Sequence, residues 1–595
     1  MDNLDIRKGM TEEEIDGVVN RALDLMMLKE KVATMSGNNF YLLLLKDRKF
    51  GVRAYPGGGV KRLNIPPFLF TDGPKGVSIP GSTCFPVPMA RGASWDISLE
   101  EKLGEVIGKE ARAQGANLFG GVCINLLRHP AWGRAQETFG EDSFHIGEFG
   151  AALVRGVQKH NVMATAKHYV ANSIEYSRFK VNVQMSERTL REVYLPHFKR
   201  CIEDGCATVM SSYNKVRGEY CGHNSYLLRD ILKGEWEFGG FVHSDWMNGL
   251  RDTTKGILGG LDVEMPRAKY YGKKLEKLIK LGKIPLNLVD DSIRRILRTV
   301  LKFTTKEDPQ NYDSDLIGCN EHVLLAREAA EKSMVLLKNQ DKLLPFNADE
   351  MDSLAVLGPL SDQKNTGDHG SSYVRQKNII TPLQGIKNSV GNKISIIHNK
   401  GDDIDVAQQI AQSVDSVVII VGYTFKDEGE YIPHISKGFG DRTDLSLKEN
   451  DIKLINAVAK VNTKCVVVLV GGSAIVMEEW KNKVPSILLA WYSGMEGGHA
   501  LANILFGKVN PSGKLPITIP KDPAQLPYFK IDIDEIEYDY YHGYTLMEKE
   551  NIEPAFPFGF GLSYTEFSYN NIRVESTEEK IIVSVDTSNV GAIAG

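Results

Sequence analysis

Between residues 68 and 246, five short apolar runs each end in a polar or ionisable side chain. The runs are FLFTDGP, GGVCINLLRHP, VMATAKHYV, CATVMSSYN and GFVHSDW. They end on Asp72, on Arg128 and Arg134, on Lys167 and His168, on Tyr213, and on Asp245. Amphipathic stretches separate them, among them SLEEKLGEVIGKEARAQG and SERTLREVYLPHFKRCIEDG. Strands alternating with helices predict a parallel sheet. Six or more such units in about 300 residues fit a β/α barrel, whose active site lies where the strands end. A single aspartate after a strand is ordinarily a turn or helix-cap residue. The same polar ending on five successive units predicts one shared site.

The texture changes twice further along. Residues 304–320, TTKEDPQNYDSDLIGCN, are polar and hold Pro309, as a linker would. HVLLAREAAEKSMVLLKN then has helical period, and LAVLGPL, SVVIIVGYT, KCVVVLVGG and PSILLAWYSG follow as short β-branched runs. Such runs predict a buried, mostly parallel sheet in a second α/β domain. After about residue 540 the segments FSYNNIRV and KIIVSVDTSN alternate apolar and polar residues, which predicts strands with one buried face. A fibronectin type III-like sandwich needs about seven strands. Only two or three fit before Gly595, so that module is expected to be incomplete and the chain truncated. The expected organisation is an α/β protein: a TIM-like barrel over 1–303, a linker over 304–326, an α/β sandwich over 327–540, and the start of a β-sandwich over 541–595.

Composition narrows the function classes. The 595 residues carry 71 basic and 76 acidic side chains, a formal charge of -5, which offers nothing to nucleic acid or an anionic membrane. No apolar stretch is long enough to span a bilayer. The N-terminus, MDNLDIRKGMTEEEID, has no apolar run, so no secretory signal is expected and the location is read as cytoplasmic. The seven cysteines are scattered and without paired zinc-ligand spacing, as expected of reduced thiols. The GGS at 471–473 is no dinucleotide fingerprint, and no phosphate-binding GxxxxGK[ST] occurs. No metal or organic cofactor is expected. Self-association into a homo-oligomer stays open.

Ten motifs in order give the chain a resemblance to glycoside hydrolase family 3. They are TDGPKGV (71–77), RHPAWGRAQETFGED (128–142), KHYVAN (167–172), ERTLREVYLPHF (187–198), MSSYNKVRG (210–218), HSDW (243–246), GLDVEMP (260–266), WYSGMEGG (491–498), NPSGKLP (510–516) and FPFGFGLSYT (556–565). The resemblance runs from residue 20 to 595. It implies a retaining exo-acting hydrolase of terminal β-linked glucose, with a nucleophilic and an acid/base carboxylate about 5–5.5 Å apart. It implies Asp245 as the nucleophile, kept ionised by Lys167, His168 and Arg134. Asp72, Arg134, Lys167, His168 and Tyr213 match the residues that grip the sugar. Asp72 would accept from two adjacent hydroxyls, while Arg134, Lys167 and His168 would donate. Tyr213 would donate its hydroxyl to the nucleophile, and Trp246 would form an apolar wall. Glu264 is expected to be structural, buried below the site and paired with a cation.

The acid/base is implied to come from a loop of the second domain, GYTFKDEGEYIPHISKGFGDRTDL, which holds Asp427, Glu428 and Glu430. Counting back from Asp441 and Arg442 favours Glu430, with Glu428 the runner-up. Its pKa is expected to be raised. Two departures stand out. Ser78 follows GPKGV where many relatives carry an arginine that supports the sugar-binding aspartate, so Asp72 needs another partner here. Arg217 replaces a common asparagine. KHYVANSIE lacks the pattern of the N-acetylglucosaminidase branch. Asp72 suits a sugar with a C6 hydroxyl, hence glucose over xylose. The rival readings are a β-xylosidase, β-galactosidase or arabinofuranosidase on the same scaffold, and a carbohydrate-binding protein with a dead site.

Overall fold

The computed structural model describes residues 4–38, 51–433, 436, 438 and 440–595. The first sheet has six strands, β1 (Tyr55–Gly57), β2 (Phe68–Thr71), β3 (Leu118–Cys123), β4 (Met163–Tyr169), β5 (Thr208–Ser211) and β6 (Phe241–Ser244), in that spatial order. β2 to β6 run parallel, and β1 is antiparallel to β2. Beyond β6, single bridges carry the pairing on. His243 pairs with Val263, Glu264 with Ser36, and Gly37 with Gly57 of β1. The chain of pairings therefore returns to its first strand. The expected uniform run of β/α units is replaced here by five parallel strands, one antiparallel strand and two bridged extended segments.

β3 and β4 are buried along their whole length. That explains why they read as continuous apolar runs rather than alternating ones. The helices Ile97–Ala113 and Ser143–Gln158 cover them, capped by Asp96 and Asp142. At Gly156 a Cβ would sit 2.1 Å from the Glu101 carbonyl oxygen, so glycine is what allows the two helices to approach so closely.

The second sheet contains β7 (Val335–Asn339), β8 (Ser353–Leu357), β9 (Ser395–Asn399), β10 (Ser416–Gly422), β11 (Cys465–Val470) and β12 (Ser486–Leu489), ordered β7-β12-β11-β10-β8-β9. All pairs are parallel except β7 with β12. Each sheet has its own apolar core, and Trp132, from the loop after β3, belongs to the second core. The helix Asn320–Ser333 starts inside the stretch expected as linker. The irregular part before it is fastened to this barrel-like first unit, where Asp308 accepts from Arg112 at 2.8 Å and from Asn161 at 2.9 Å. Residues of the second unit also return to the barrel, with Glu535–Glu537 pairing in parallel with Asn182–Gln184.

After these come two strands, β13 (Phe567–Ser576) and β14 (Ile581–Asn589), which form an antiparallel hairpin. Its apolar side chains Ile572, Val574, Ile581 and Val583 meet solvent. All seven cysteines are free thiols. Among the described residues, no helix is long and apolar enough to cross a membrane.

Candidate active site

β2, β4, β5 and β6 end at a cavity of about 340 Å³, lined by Asp72, Lys167, His168, Tyr213, Asp245 and Trp246 from the barrel. That is at the lower end of the size range for small-molecule sites. Asp72 follows β2 directly, and its Oδ1 accepts from Lys167 Nζ at 2.7 Å and from the Gly73 N–H at 2.8 Å. Lys167 is therefore the support that Ser78 does not provide. Burial works against the lysine charge, but Asp72 more than restores it, so the Lys167 pKa lies above its usual value.

Asp245 follows β6, and its N–H reaches the Ser211 carbonyl at 3.3 Å, continuing the sheet pairing past the strand. Its Oδ1 accepts from the Trp246 N–H at 2.7 Å. Among the described residues its buried Oδ2 accepts no hydrogen bond. Burial pushes this carboxyl up to about 6, although Arg178, Arg134, the Trp246 N–H and Lys167 pull it down.

His168 is clamped by Asn125. The Asn125 side-chain oxygen accepts from the His168 backbone N–H at 2.9 Å and meets ring Nδ1 at 2.8 Å, while its amide donates to the His168 carbonyl at 2.9 Å. An oxygen opposite Nδ1 requires a hydrogen there. On the other side Arg134 Nη1 lies 3.2 Å from Nε2, and arginine can only donate. Nε2 is thus the acceptor. Burial, with Arg134, Lys167 and Arg178 nearby, drives the ring pKa well below its usual value, so His168 is neutral. The 3.7 Å approach of Nε2 to Asp245 Oδ2 is accordingly no ion pair. His168 was expected to act as a donor, and the clamp makes its ring nitrogen in the site an acceptor instead. Arg134 is fixed by a two-pronged pair with Glu137, at 3.0 and 2.7 Å.

The opposite wall comes from two loops of the second unit, which bring His369, Ser371, Tyr373, Arg375 and Glu430 to the same cavity. Asp441 pins one loop to the barrel by accepting from the N–H groups of Gly133 at 2.9 Å, Glu175 at 3.0 Å and Tyr176 at 2.9 Å. Asp368 ties the loops together, accepting from the Glu430 N–H at 2.9 Å, the Gly370 N–H at 2.8 Å and the Ser372 hydroxyl at 2.8 Å. Glu430 accepts from Arg178 Nη2 at 3.2 Å and from the Ser371 N–H at 2.6 Å. Burial works to raise its pKa, but Arg134, Arg178 and Ser371 more than offset this and hold it well below the usual carboxylate range. The expectation of a raised value is therefore reversed.

Residues 58–299 match the Glycosyl hydrolase family 3 N terminal domain, and residues 334–564 match the Glycosyl hydrolase family 3 C-terminal domain. The chain belongs to glycoside hydrolase family 3. It is 37% identical to thermostable beta-glucosidase B of Acetivibrio thermocellus, over 97% of this chain and 77% of that protein. It is 31% identical to a beta-xylosidase of Formosa agariphila, over 99% of this chain and 85% of that one. The fold superposes on beta-glucosidase 3B of Thermotoga neapolitana in complex with alpha-D-glucose with a TM-score of 0.86 and 29% identity, covering 96% of this chain and 87% of that chain.

Not every candidate reaches the cavity of this glycoside hydrolase. Glu428 is buried beside it. Its Oε1 accepts from the Gly472 N–H at 2.6 Å and the Tyr492 hydroxyl at 2.7 Å, and its Oε2 faces Arg442 Nε at 3.2 Å. Arg442 in turn donates to the Pro130 carbonyl at 2.6 Å, so the pair is a clasp between the units. Arg128 points away and donates to the Asp539 carbonyl at 2.8 Å. Arg217 pairs with Glu187 at 2.6 Å, outside the cavity. The Tyr213 hydroxyl donates to the Trp246 carbonyl at 2.7 Å, and the Asp245 carboxylate lies beside it: burial and then the Asp245 charge push the Tyr213 pKa well above its usual value. Trp246 lines the cavity and packs against Phe70 at 5.2 Å and Tyr55 at 5.3 Å between ring centres. Glu264, expected to pair with a cation, accepts from the N–H groups of Lys269, Tyr270 and Tyr271 at 3.1, 2.8 and 2.7 Å.

Sequence reasoning missed Arg178, Asn125 and Ser371. Arg178 is buried, pairs with Glu175 at 2.9 Å, and lies over the Tyr213 ring at 5.0 Å. Its sequence neighbourhood, EYSRF, has no period and no motif that would have marked it. Asn125 follows β3, and the rule that strand ends face the site would have flagged it. Among the described residues, no cluster of three or more His, Cys, Asp or Glu is arranged to hold a metal ion.

Proposed function

We propose that the protein is a retaining exo-acting β-glucosidase with Asp245 as nucleophile and Glu430 as acid/base. The observation that carries this reading is the bare Asp245 Oδ2 in a cavity that Glu430 also lines. Oδ2 attacks the anomeric carbon and forms a glycosyl ester. The glycosidic C–O bond breaks, and the leaving oxygen takes the Glu430 proton. Water then attacks the same carbon, gives its proton to Glu430, and releases glucose and the Asp245 carboxylate. Asp72, Arg134, Lys167, His168, Tyr213 and Trp246 hold the sugar. Glu430 has to gain its proton once substrate is bound. A sugar that displaces water from the cavity removes solvation from the Glu430 charge, which favours its protonated form.

The surrounding fold is read as a TIM-like barrel, an α/β sandwich carrying the acid/base loop, and the first strands of a fibronectin type III-like module. The seven free thiols support a reducing, cytoplasmic location.

Labelling with a 2-fluoro-glucoside followed by peptide mapping tests the reading. The expected result is one stable adduct on Asp245. A label on another carboxylate, or turnover with inversion, defeats it. The relative named a beta-xylosidase, at 31% identity, supports a second reading in which the sugar is xylose. A nitrophenyl xyloside turned over faster than the glucoside would establish that alternative.

A further inference from the structure

Each deep cation of the cavity has a carboxylate: Lys167 has Asp72, Arg134 has Glu137, and Arg178 has Glu175 and Glu430. Arg375 also lines the cavity, is partly buried, and among the described residues has no carboxylate within ion-pair distance. Its guanidinium lies 5.5 Å from the Tyr373 ring centre and is hydrogen-bonded through one nitrogen. Nη1 reaches the Gly51 carbonyl at 3.2 Å and the Ser78 carbonyl at 3.5 Å. Its Nε and Nη2 hydrogens bond no described protein group.

The backbone beneath it is fixed on both sides. Upstream, buried Lys75 donates to the carbonyls of Thr366 at 2.5 Å and Asp368 at 2.9 Å. Downstream, the Gly81 N–H donates to the Arg375 carbonyl at 3.3 Å, and Gln376 donates to Ser82 at 3.1 Å. Gly51 completes the seat. It has a φ of +73°, and a Cβ there would lie 2.8 Å from Arg375 Nη1. A positioned cation with idle donors in a cavity is prepared for an acceptor from outside.

The wall it stands on is that of Asp72, since the Ser78 N–H donates to the Asp72 carbonyl at 2.9 Å. Asp72 can only accept and Arg375 can only donate. A hydroxyl is the group that satisfies both, giving its proton to one and accepting from the other. We propose that Arg375, delivered by a loop of the second unit, binds a sugar hydroxyl together with Asp72 and so sets which sugar the site accepts. This rests on the glycosidase reading above.

The test compares wild type, Arg375→Ala and Arg375→Lys on nitrophenyl β-glucoside and its monodeoxy analogues, together with the xyloside. For Arg375→Ala, kcat/KM on the parent glucoside should fall about 10- to 100-fold, mostly through KM, as expected for one charge-assisted hydrogen bond. Arg375→Lys should lie between. With the analogue that lacks the contacted hydroxyl, wild type and Arg375→Ala should be equal within about twofold. An equal loss on every analogue, or no loss on the parent, overturns the proposal. If Arg375→Ala melts early, the Lys variant carries the same comparison. Failure of the wild type on every glycoside would instead sink the glycosidase reading, and preference for the xyloside moves the comparison to deoxy-xylosides.

Discussion

The two walls of the cavity are held in different ways. The barrel wall is made of side chains at the ends of parallel strands, and the sheet itself aims Asp72, Lys167, His168 and Asp245 inward. The facing wall is irregular backbone held by buried side chains, with Asp368, Asp441, Lys75 and Arg442 each bonding main-chain groups of other segments. The first kind of wall is a property of the fold. The second depends on a few specific buried donors and acceptors, so single substitutions should act on the two very differently.

The largest effect belongs to the barrel wall. Asp245→Asn should lower kcat on the order of 100,000-fold. It should also stabilise the protein near neutral pH. Folding raises this carboxyl from 3.8 to about 6. Below 3.8 it is protonated in both states, so it imposes no penalty. Stability is lost as pH rises from there to about 6, by on the order of 3 kcal/mol. Thermal melts at pH 7 should show the asparagine variant more stable, and the gap should close near pH 4. Full activity in the variant would remove Asp245 from the mechanism.

Next comes a pair of carboxylates two residues apart. Glu430→Gln should cost about 100- to 10,000-fold on poor leaving groups and much less on activated aryl glucosides. Glu428→Gln should act on stability instead, since it leaves the buried Arg442 charge unpaired, at about 3–5 kcal/mol. Its folded fraction should keep the wild-type pH profile. The reverse pattern, read from leaving-group dependence and melting curves, would exchange their roles.

Loosening the facing wall should be milder. Asp368→Asn disturbs the hydrogen bonds that seat Glu430 and should lower kcat about 10- to 100-fold. The inhibition constant for glucose, set mainly by the barrel wall, should move little. A parallel change in both would mean that the walls act as one unit.

The smallest effect is a shift in the pH profile. The acid limb of kcat/KM should lie near 6, where Asp245 takes up a proton. Arg178 stabilises both ionised carboxylates, so Arg178→Gln should move that limb upward by about one unit. A downward shift would contradict the electrostatic ordering of the site.

This contrast also explains what was legible in the sequence. The strand-end residues could be read because a buried strand is an apolar run, and a charge at its end breaks the pattern. The second sheet was visible for the same reason, as β10 and β11 are buried throughout. Arg178, Ser371 and Arg375 lie in loops, where position comes from distant contacts and leaves no period. The choice between Glu430 and Glu428 turns on which way each side chain leaves the backbone, and Arg442 and Arg178 decide that by claiming one apiece. The antiparallel β1 was hidden because Tyr55–Gly57 is three residues long and two of the three are proline and glycine.

The clasp made by Asp441 has a consequence for the life of the chain. The three N–H groups it holds belong to the barrel, and the residue itself belongs to the unit synthesised later. Domains emerge and fold from the N-terminus onward. On the proposed assignment, a nascent first unit therefore displays Asp245 on the ribosome without Glu430 beside it. On that assignment hydrolysis begins only once the later-made loop closes over the first half, so activity reports that the two halves have docked.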